Sequence, residues 1–368
     1  MRVAIIHYWL VGMRGGERVL EQLCALFPDA DIFTHVLRPE KISPSIARHH
    51  IETTFINKLP FAATQYTKYL PLMPRALEEL DLSAYPLVIS SESGPAKGVI
   101  VRPTGRHICY CHSPPRYLWD HYHLYKQDLN PLARIVFEQV AHRMRQWDVT
   151  SAARVDRFVA NSSFVAERIA RYYRRNADVI HPPIALDHFH PSAAPPRDFY
   201  LVVGELVRYK KVDLVVDAFR GLDREVWIAG SGEMRAELEK SAPPNVKFLG
   251  RVSEEKLIEL YGSCRALLFP GEEDFGLVPL EAMASGRPVI AFGSGGALDS
   301  VKENVTGLFF VDQTAAGLRQ AIEAFEAREA QFDPAQIRGH ADHFSAERFK
   351  RDFMAVVHRE LEHASSPW

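Results

Sequence analysis

The segment Ala266–Val301, ALLFPGEEDFGLVPLEAMASGRPVIAFGSGGALDSV, constrains the fold of this chain more than any other stretch. Ala266–Phe269 is a short apolar run stopped by Pro270 and Gly271, which reads as a buried strand. The acidic loop Glu272–Gly276 follows, and Pro279 suits a first helical turn, where its missing N–H is not needed. Gly286 with Arg287 and Pro288 closes that helix. Pro288–Phe292 enters a second buried strand, and Gly293-Ser294-Gly295-Gly296 turns into another helix.

Such a loop can hold an anion and a polyol together. The N–H groups near Phe275, Gly276 and Leu277 point out of the strand ends and carry the positive end of the helix dipole, which favours phosphate. Gly276 lets the backbone approach closely. Glu273 lies in the loop and Glu281 about one turn inside the helix, so each can accept hydrogen bonds from sugar hydroxyls. Taken alone, Glu272, Glu273 and Asp274 would only offset the helix dipole.

The complete string changes that weighing. Glu273-x7-Glu281 within FPGEEDFGLVPLEAMASGRPVIA resembles the E-x7-E motif of retaining nucleotide-sugar glycosyltransferases of family 4. The resemblance implies the GT-B fold: an α/β protein of two Rossmann-like domains facing across a cleft. Residues 1–185 would bind the acceptor, residues 186–344 the nucleotide sugar, and a C-terminal helix over 345–368 would cross back to the first domain.

The rest of the chain is compatible with two such domains. Its 368 residues and globular composition suit two ordinary cores. No apolar run is long enough to span a bilayer, and MRVAIIHYWLVG reads as a first buried strand. The cysteines Cys24, Cys109, Cys111 and Cys264 suggest no disulfide framework and predict a reducing compartment. Cys109-x-Cys111-His112 has no second cluster at zinc spacing, so it reads as buried strand cysteines followed by a histidine. Residues 1–190 hold 23 Lys and Arg against 18 Asp and Glu, and the remainder 21 against 28, so +5 and −7. The basic half predicts an anionic partner, phosphate groups or an anionic membrane surface. There is no dense basic stripe of the kind that binds nucleic acid.

In the first half, Val3–Tyr8 reads as a strand, Val11–Gly16 as a glycine turn and Glu17–Phe27 as an amphipathic helix. The turn lacks dinucleotide-fingerprint spacing. The resemblance puts Gly15 and Gly16 against the donor diphosphate. Residues Phe55–Leu82 interleave aromatics with Lys58, Lys68 and Arg75. They read equally as a surface lying on a membrane and as a helix pair packed on its own domain. His107–Tyr110 is a strand that runs into His112-Ser113-Pro114-Pro115-Arg116, and ligands meet an open α/β sheet just past such strand ends. By resemblance His112 contacts the transferred sugar, and Arg116 and Tyr117 receive the acceptor. Asn161-Ser162-Ser163 offers an N-cap, Val179–Ile180 another strand, and the Pro-rich run from Pro182 to Pro196 a linker.

In the second half, Tyr200–Val203 is a strand followed by Gly204-Glu205-Leu206-Val207-Arg208-Tyr209-Lys210-Lys211. Cations at such a loop suit a diphosphate, Arg as a fork and Lys as a point charge. The resembling family has an Arg and a Lys here. Lys210 matches the Lys, while Glu205 stands where the Arg is usual and Arg208 substitutes from three residues later. Gly230-Ser231-Gly232 lacks the glycine spacing of a nicotinamide site and reads as a tight turn. Gly250-Arg251-Val252 resembles the loop that contacts the nucleotide base. A final helix is expected over Phe344–Glu360.

The resemblance implies donor binding by Gly15, Gly16, Arg208, Lys210, Arg251, Val252, Glu273, Asp274, Phe275, Gly276, Leu277 and Glu281. Its catalytic groups are Glu273, His112, Arg208 and Lys210, with no metal and no cofactor beyond the co-substrate. It implies front-face attack, the departing phosphate taking the acceptor's proton. The strings LVRYKKVDLVVDAF, HSPPRYLWD and VIHPPI resemble the branch that moves mannose from GDP-mannose to a lipid-linked or saccharide acceptor in cell-surface polysaccharide synthesis. That would be cytoplasmic work at the inner face of the membrane. The alternatives are a UDP-sugar donor, a sugar-nucleotide epimerase or nicotinamide-linked oxidoreductase on a similar scaffold, and a non-catalytic sugar-nucleotide-binding protein.

Overall fold

A computed structural model describes residues 1–127, 129–192 and 194–365. The chain divides into two compact units: Met1–His181 with the residues from Phe349 on, and Pro182–Arg348. The divisions fall a few residues from the expected 185 and 345.

The first unit is built on seven parallel strands: β1 (Val3–His7), β2 (Asp31–Thr34), β3 (Ile51–Thr53), β4 (Leu87–Glu92), β5 (Arg106–Cys111), β6 (Arg157–Ala160) and β7 (Ala177–Val179). Their order is β3-β2-β1-β4-β5-β6-β7. Alternate residues of β1 enter different cores: Val3 and Ile5 face one hydrophobic cluster, Ala4 and Ile6 another. The sheet is therefore covered on both faces, as parallel sheets require. The order reverses between β1 and β4, the switch point where such sheets place ligands.

Helix α1 (Gly15–Leu26) starts two residues earlier than the glycine-turn reading, because Glu17 folds back to accept the Arg14 N–H at 2.9 Å. Helix α2 (Pro131–Ala152) is capped by Asn130, which accepts the Ala133 N–H at 2.9 Å, with Pro131 in the first turn. Helix α3 (Ser163–Tyr173) is capped by Ser162, which accepts the Val165 N–H at 3.1 Å. Residues 55–82 form one-turn and 3-10 pieces, with Ile56, Met73 and Leu77 buried and Phe61 exposed. Pro60, Pro71 and Pro74 break any continuous helix there.

The second unit holds β8 (Phe199–Val203), β9 (Glu225–Ala229), β10 (Val246–Gly250), β11 (Leu267–Phe269), β12 (Val289–Phe292) and β13 (Gly307–Phe310). They are ordered β10-β9-β8-β11-β12-β13, all parallel, with the reversal between β8 and β11. Helices α4 (Glu254–Ser263) and α5 (Leu277–Ala284) flank β11 in sequence. The expected linker belongs largely to this unit. Ile184 donates to the Phe344 carbonyl at 3.1 Å, and Phe189 is buried in the core; residue 193 lies outside the described residues.

Helix α6 (Ala346–Ser365) runs past the apolar spacing that ended at Glu360, and residues 366–368 of the expected 345–368 lie outside the described residues. Phe349, Phe353, Val356 and Val357 bury themselves in the first unit's core. Among the described residues no helix is long and apolar enough to cross a membrane.

Candidate active site

In the second unit the switch point between β8 and β11 brings together Lys210 and Glu273 of the expected donor residues, while Gly15 and Gly16 lie in the first unit. Past β8 the chain makes a 3-10 turn, Arg208–Lys210, that swings Lys210 under the loop after β11. Lys210 Nζ lies 2.9 Å from Glu273 Oε1, both about one-fifth exposed. Burial alone would lower the Lys210 pKa. The carboxylate of Glu273 outweighs that and holds it above its ordinary value. Gly204, Glu205, Lys210, Pro270, Gly271 and Glu273 line a crevice of about 10 Å³, room for one water. Glu205 on its lining is exposed, as is Arg208 at the start of the 3-10 turn.

Gly276 is the N-cap of α5, with φ of 84°, and a Cβ there would stand 2.7 Å from the Phe269 ring. Only glycine fits both conditions. No side chain caps α5. Its first-turn N–H groups at Leu277 and Val278 have no intrahelical acceptor, and Pro279 has no N–H to satisfy. Glu281 accepts the Tyr261 hydroxyl at 2.8 Å, and Glu272 accepts Ser294 Oγ at 2.5 Å. Asp274 is half-buried. The Phe275 side chain is buried in the core against Phe344, so only its backbone is left to face a ligand. Arg251 is exposed and donates to Ser231 Oγ at 3.1 Å, with Val252 half-buried beside it.

In the first unit His112 follows β5 and is half-buried. Its Nε2 lies 2.9 Å from Ser91 Oγ, and its carbonyl accepts Asn161 Nδ2 at 2.9 Å. The loop after it is fastened by Arg168, which donates to Ser113 Oγ at 3.0 Å, the Pro114 carbonyl at 3.1 Å and Asp120 at 2.7 Å. Trp119 Nε1 donates to Asp148 at 2.8 Å. Arg116 Nη1 reaches His121 Nε2 at 3.3 Å. Gly16 is packed under Tyr8, whose hydroxyl oxygen would be 2.1 Å from a Cβ there; Gly15 opens α1.

Tyr117 borders an apolar cavity of about 590 Å³ between residues 67–71 and α2, lined by Leu70, Leu129, Val136, Phe137 and Met144. The Tyr117 hydroxyl is buried and has no hydrogen-bond partner among the described residues. Leu132 on the cavity wall is 74 % exposed.

Cys109 and Cys111 are buried in β5, and burial pushes both thiols well above their ordinary pKa. Among the described residues no group of three or more His, Cys, Asp or Glu side chains is placed to hold a metal.

Reading the sequence alone misses His7, Glu17, Ser91 and Arg168. His7 is the one polar residue of an apolar strand, whereas Glu17 lies in an amphipathic helix and Ser91 beside Ser90 and Glu92, so only His7 left a signal in the sequence.

Comparison with known proteins agrees with this arrangement. Residues 13–188 match the model of Glycosyltransferase Family 4, and residues 185–338 that of Glycosyl transferases group 1. The chain is 34 % identical over 190 residues to D-rhamnosyltransferase WbpZ of Pseudomonas aeruginosa, covering 46 % of this chain and 49 % of that protein. It is 37 % identical over 120 residues to human alpha-1,3/1,6-mannosyltransferase ALG2, covering 32 % and 29 %. The chain thus spans about half or less of the length of these relatives. The crystal structure of Anabaena Alr3699/HepE in complex with UDP superimposes with a TM-score of 0.73 at 15 % identity, covering 98 % of this chain and 100 % of that one. The expected architecture of two parallel-sheet Rossmann-like domains of the GT-B kind is borne out.

Proposed function

We infer that this chain, which pairs a Glycosyltransferase Family 4 domain with a Glycosyl transferases group 1 domain, moves a hexose from a nucleoside diphosphate sugar to an acceptor. The observation that carries this reading is the Lys210–Glu273 pair beside the uncapped start of α5. Without donor the two side chains neutralise each other. An incoming diphosphate takes the ammonium and the helix N–H groups, and Glu273 is released to accept hydrogen bonds from the sugar's hydroxyls. Arg208, exposed on the same turn, supplies the second cation. Glu281, held by Tyr261, receives the ribose hydroxyls.

The reaction is retaining. The bond from the sugar's anomeric carbon to the phosphate oxygen breaks, the acceptor oxygen bonds to that carbon on the same face, and its proton passes to the departing phosphate. Lys210, Arg208 and the helix start stabilise the charge that builds on the leaving group, a task that in other enzymes a bound metal ion performs.

For the donor we propose GDP-mannose. The relative named for mannosyl transfer supports mannose as the sugar. For the acceptor we propose a lipid-linked saccharide of a cell-surface polysaccharide, reached at the cytoplasmic face of an anionic membrane. An apolar cavity with Lys68 on its lining suits a molecule with an apolar chain and an anionic head.

Thermal unfolding of the protein with GDP-mannose, GDP, UDP-glucose and no ligand tests the donor. A ligand at a hundred times its Kd should stabilise the native state by about 2.7 kcal/mol. Stabilisation by UDP-glucose alone would replace the guanine reading with a uridine one. Conversion of the donor to an epimer without acceptor would replace transfer with epimerisation.

A further inference from the structure

Behind His112 runs a line of polar groups through the interior of the first unit. Ser91 Oγ lies 2.9 Å from His112 Nε2 and 3.0 Å from His7 Nδ1. His7 Nε2 in turn faces Glu17 Oε1 at 3.6 Å, a charge contact longer than a hydrogen bond, and this buried nitrogen has no hydrogen-bond partner among the described residues. His7, Ser91 and Glu17 are at most 1 % exposed, so no bulk water competes for these groups. They come from β1, β4 and α1, elements that meet at the switch point of the sheet.

We propose that Glu17, His7 and Ser91 form a buried relay that holds His112 as its Nε2–H tautomer, which makes them positioning residues for the transfer reaction. The proposal rests on the reading of His112 as a group beside the transferred sugar.

The direction of each bond follows from donors and acceptors. The second oxygen of Glu17 accepts the Arg14 N–H at 2.9 Å, which keeps this side chain oriented. A carboxylate facing His7 Nε2 favours a proton there, since a lone pair would meet a negative charge. In neutral His7, Nδ1 is then the acceptor of a hydrogen bond donated by the Ser91 hydroxyl. A serine hydroxyl has a single proton to give, so Ser91 Oγ must accept from His112 Nε2–H. His112 is left with its lone pair on Nδ1. Which imidazole nitrogen carries the proton is set by the bond that the other nitrogen makes. Tyr110, with its ring centroid 5.0 Å from that of His112, packs edge-on and confines the ring.

The test is long-range ¹H–¹⁵N correlation NMR on the full-length protein with ¹⁵N-labelled histidine, the His112 signals assigned by their loss in His112→Gln. The wild type should show His112 protonated at Nε2. In Ser91→Ala it should become a mixture of tautomers, kcat should fall about tenfold or more, and the KM for donor should stay within about twofold. Ser91→Thr, which keeps the hydroxyl, should restore both. Glu17→Gln is close to isosteric and guards against misfolding of the serine variant. Its amide oxygen stays on the Arg14 N–H, so its NH₂ faces His7 and reverses every bond, and His112 should become protonated at Nδ1. A wild-type His112 protonated at Nδ1, or a folded Ser91→Ala with an unchanged tautomer, would overturn the relay. Wild-type transfer by His112→Gln would instead remove His112 from the reaction. The tautomer spectra would still report on the relay, so the two failures can be told apart.

Discussion

On the proposed reading, Glu273 has to change partner when donor arrives. It is paired with Lys210 at 2.9 Å, and the proposed role asks the same oxygen to accept from a sugar hydroxyl. Glu273→Gln should therefore lower kcat by about a hundredfold or more at saturating donor, in the range found for removal of one charge-stabilising group. Donor affinity should change far less, because Lys210 loses a competitor for phosphate. Steady-state transfer kinetics with a donor titration read both numbers, and a kcat within threefold of wild type would take Glu273 out of the mechanism. A second residue-scale expectation concerns acid. Burial lowers the pKa of His35 to about 4 and of His107 to about 3, against an ordinary value of 6.5. His35 is neutral, with Nε2 on the Pro95 carbonyl at 3.0 Å and Nδ1 on Thr54 at 3.1 Å. The unfolded chain binds these protons first, so stability is complete above pH 6.5 and falls as the pH drops towards 4. Between pH 7.5 and 5.5 each histidine should cost about 1–1.5 kcal/mol. Urea unfolding at the two pH values checks this, and a folded His35→Gln variant should lose its share of the drop. What a sequence shows at this scale depends on contiguity. Glu273, Gly276 and Glu281 share one short string, whose spacing could be read directly. The path from Glu17 through His7 and Ser91 to His112 could not, since four residues of three separate segments meet only after the sheet is ordered.

At the scale of elements, one buried ion cluster ties together the parts that carry the loop after β5. Lys97, completely buried, pairs with Asp148 of α2 and, at 3.3 Å, with Glu92 at the end of β4. Burial would strip its proton. The two carboxylates outweigh this and hold its pKa above the ordinary lysine value. Asp148 also accepts Trp119 Nε1 at 2.8 Å and the Tyr173 hydroxyl at 3.0 Å, so two helices and a loop meet on one anion, which Lys97 links to Glu92 of the strand. Removing a single partner leaves buried charge uncompensated. Lys97→Met should destabilise the first unit by about 3–5 kcal/mol, measured by urea unfolding followed through tryptophan fluorescence. A loss below about 1 kcal/mol would mean the cluster is dispensable. The elements most plainly legible in sequence were the long or punctuated ones: β8, β12 and α5 lie within a few residues of their expected places. Strands β2 and β3 escaped because DIFT and IET are too short to show a period. The 55–82 segment kept both of its readings in sequence, since prolines erase the helical spacing that would have decided between them.

On the scale of the whole chain, the two units differ in continuity. The second is one uninterrupted segment, Pro182–Arg348, with its own core. The first is split: its sheet ends before His181, and the helix that closes one face arrives from Phe349 on. Phe353 of α6 is fully buried there, and Phe349 and Val357 nearly so, packed with Val3, Ile5, Leu87 and Tyr110. Each such side chain is worth about 1.5–3 kcal/mol of burial, and the sum of the four apolar contacts of α6 is comparable to the whole stability of an ordinary domain. Residues 182–348 expressed alone should therefore melt cooperatively, whereas residues 1–181 alone should not. Adding a separate peptide of residues 346–365 to the latter should restore a cooperative transition, because the peptide binds only the folded sheet. Within the full-length chain Phe353→Ala should lower the stability of the first unit by about 3–5 kcal/mol, leaving the second unit's transition where it was. Calorimetry resolves the two. A cooperative melt of 1–181 without the peptide would show that α6 is an appendage to the first unit, not a part of its core.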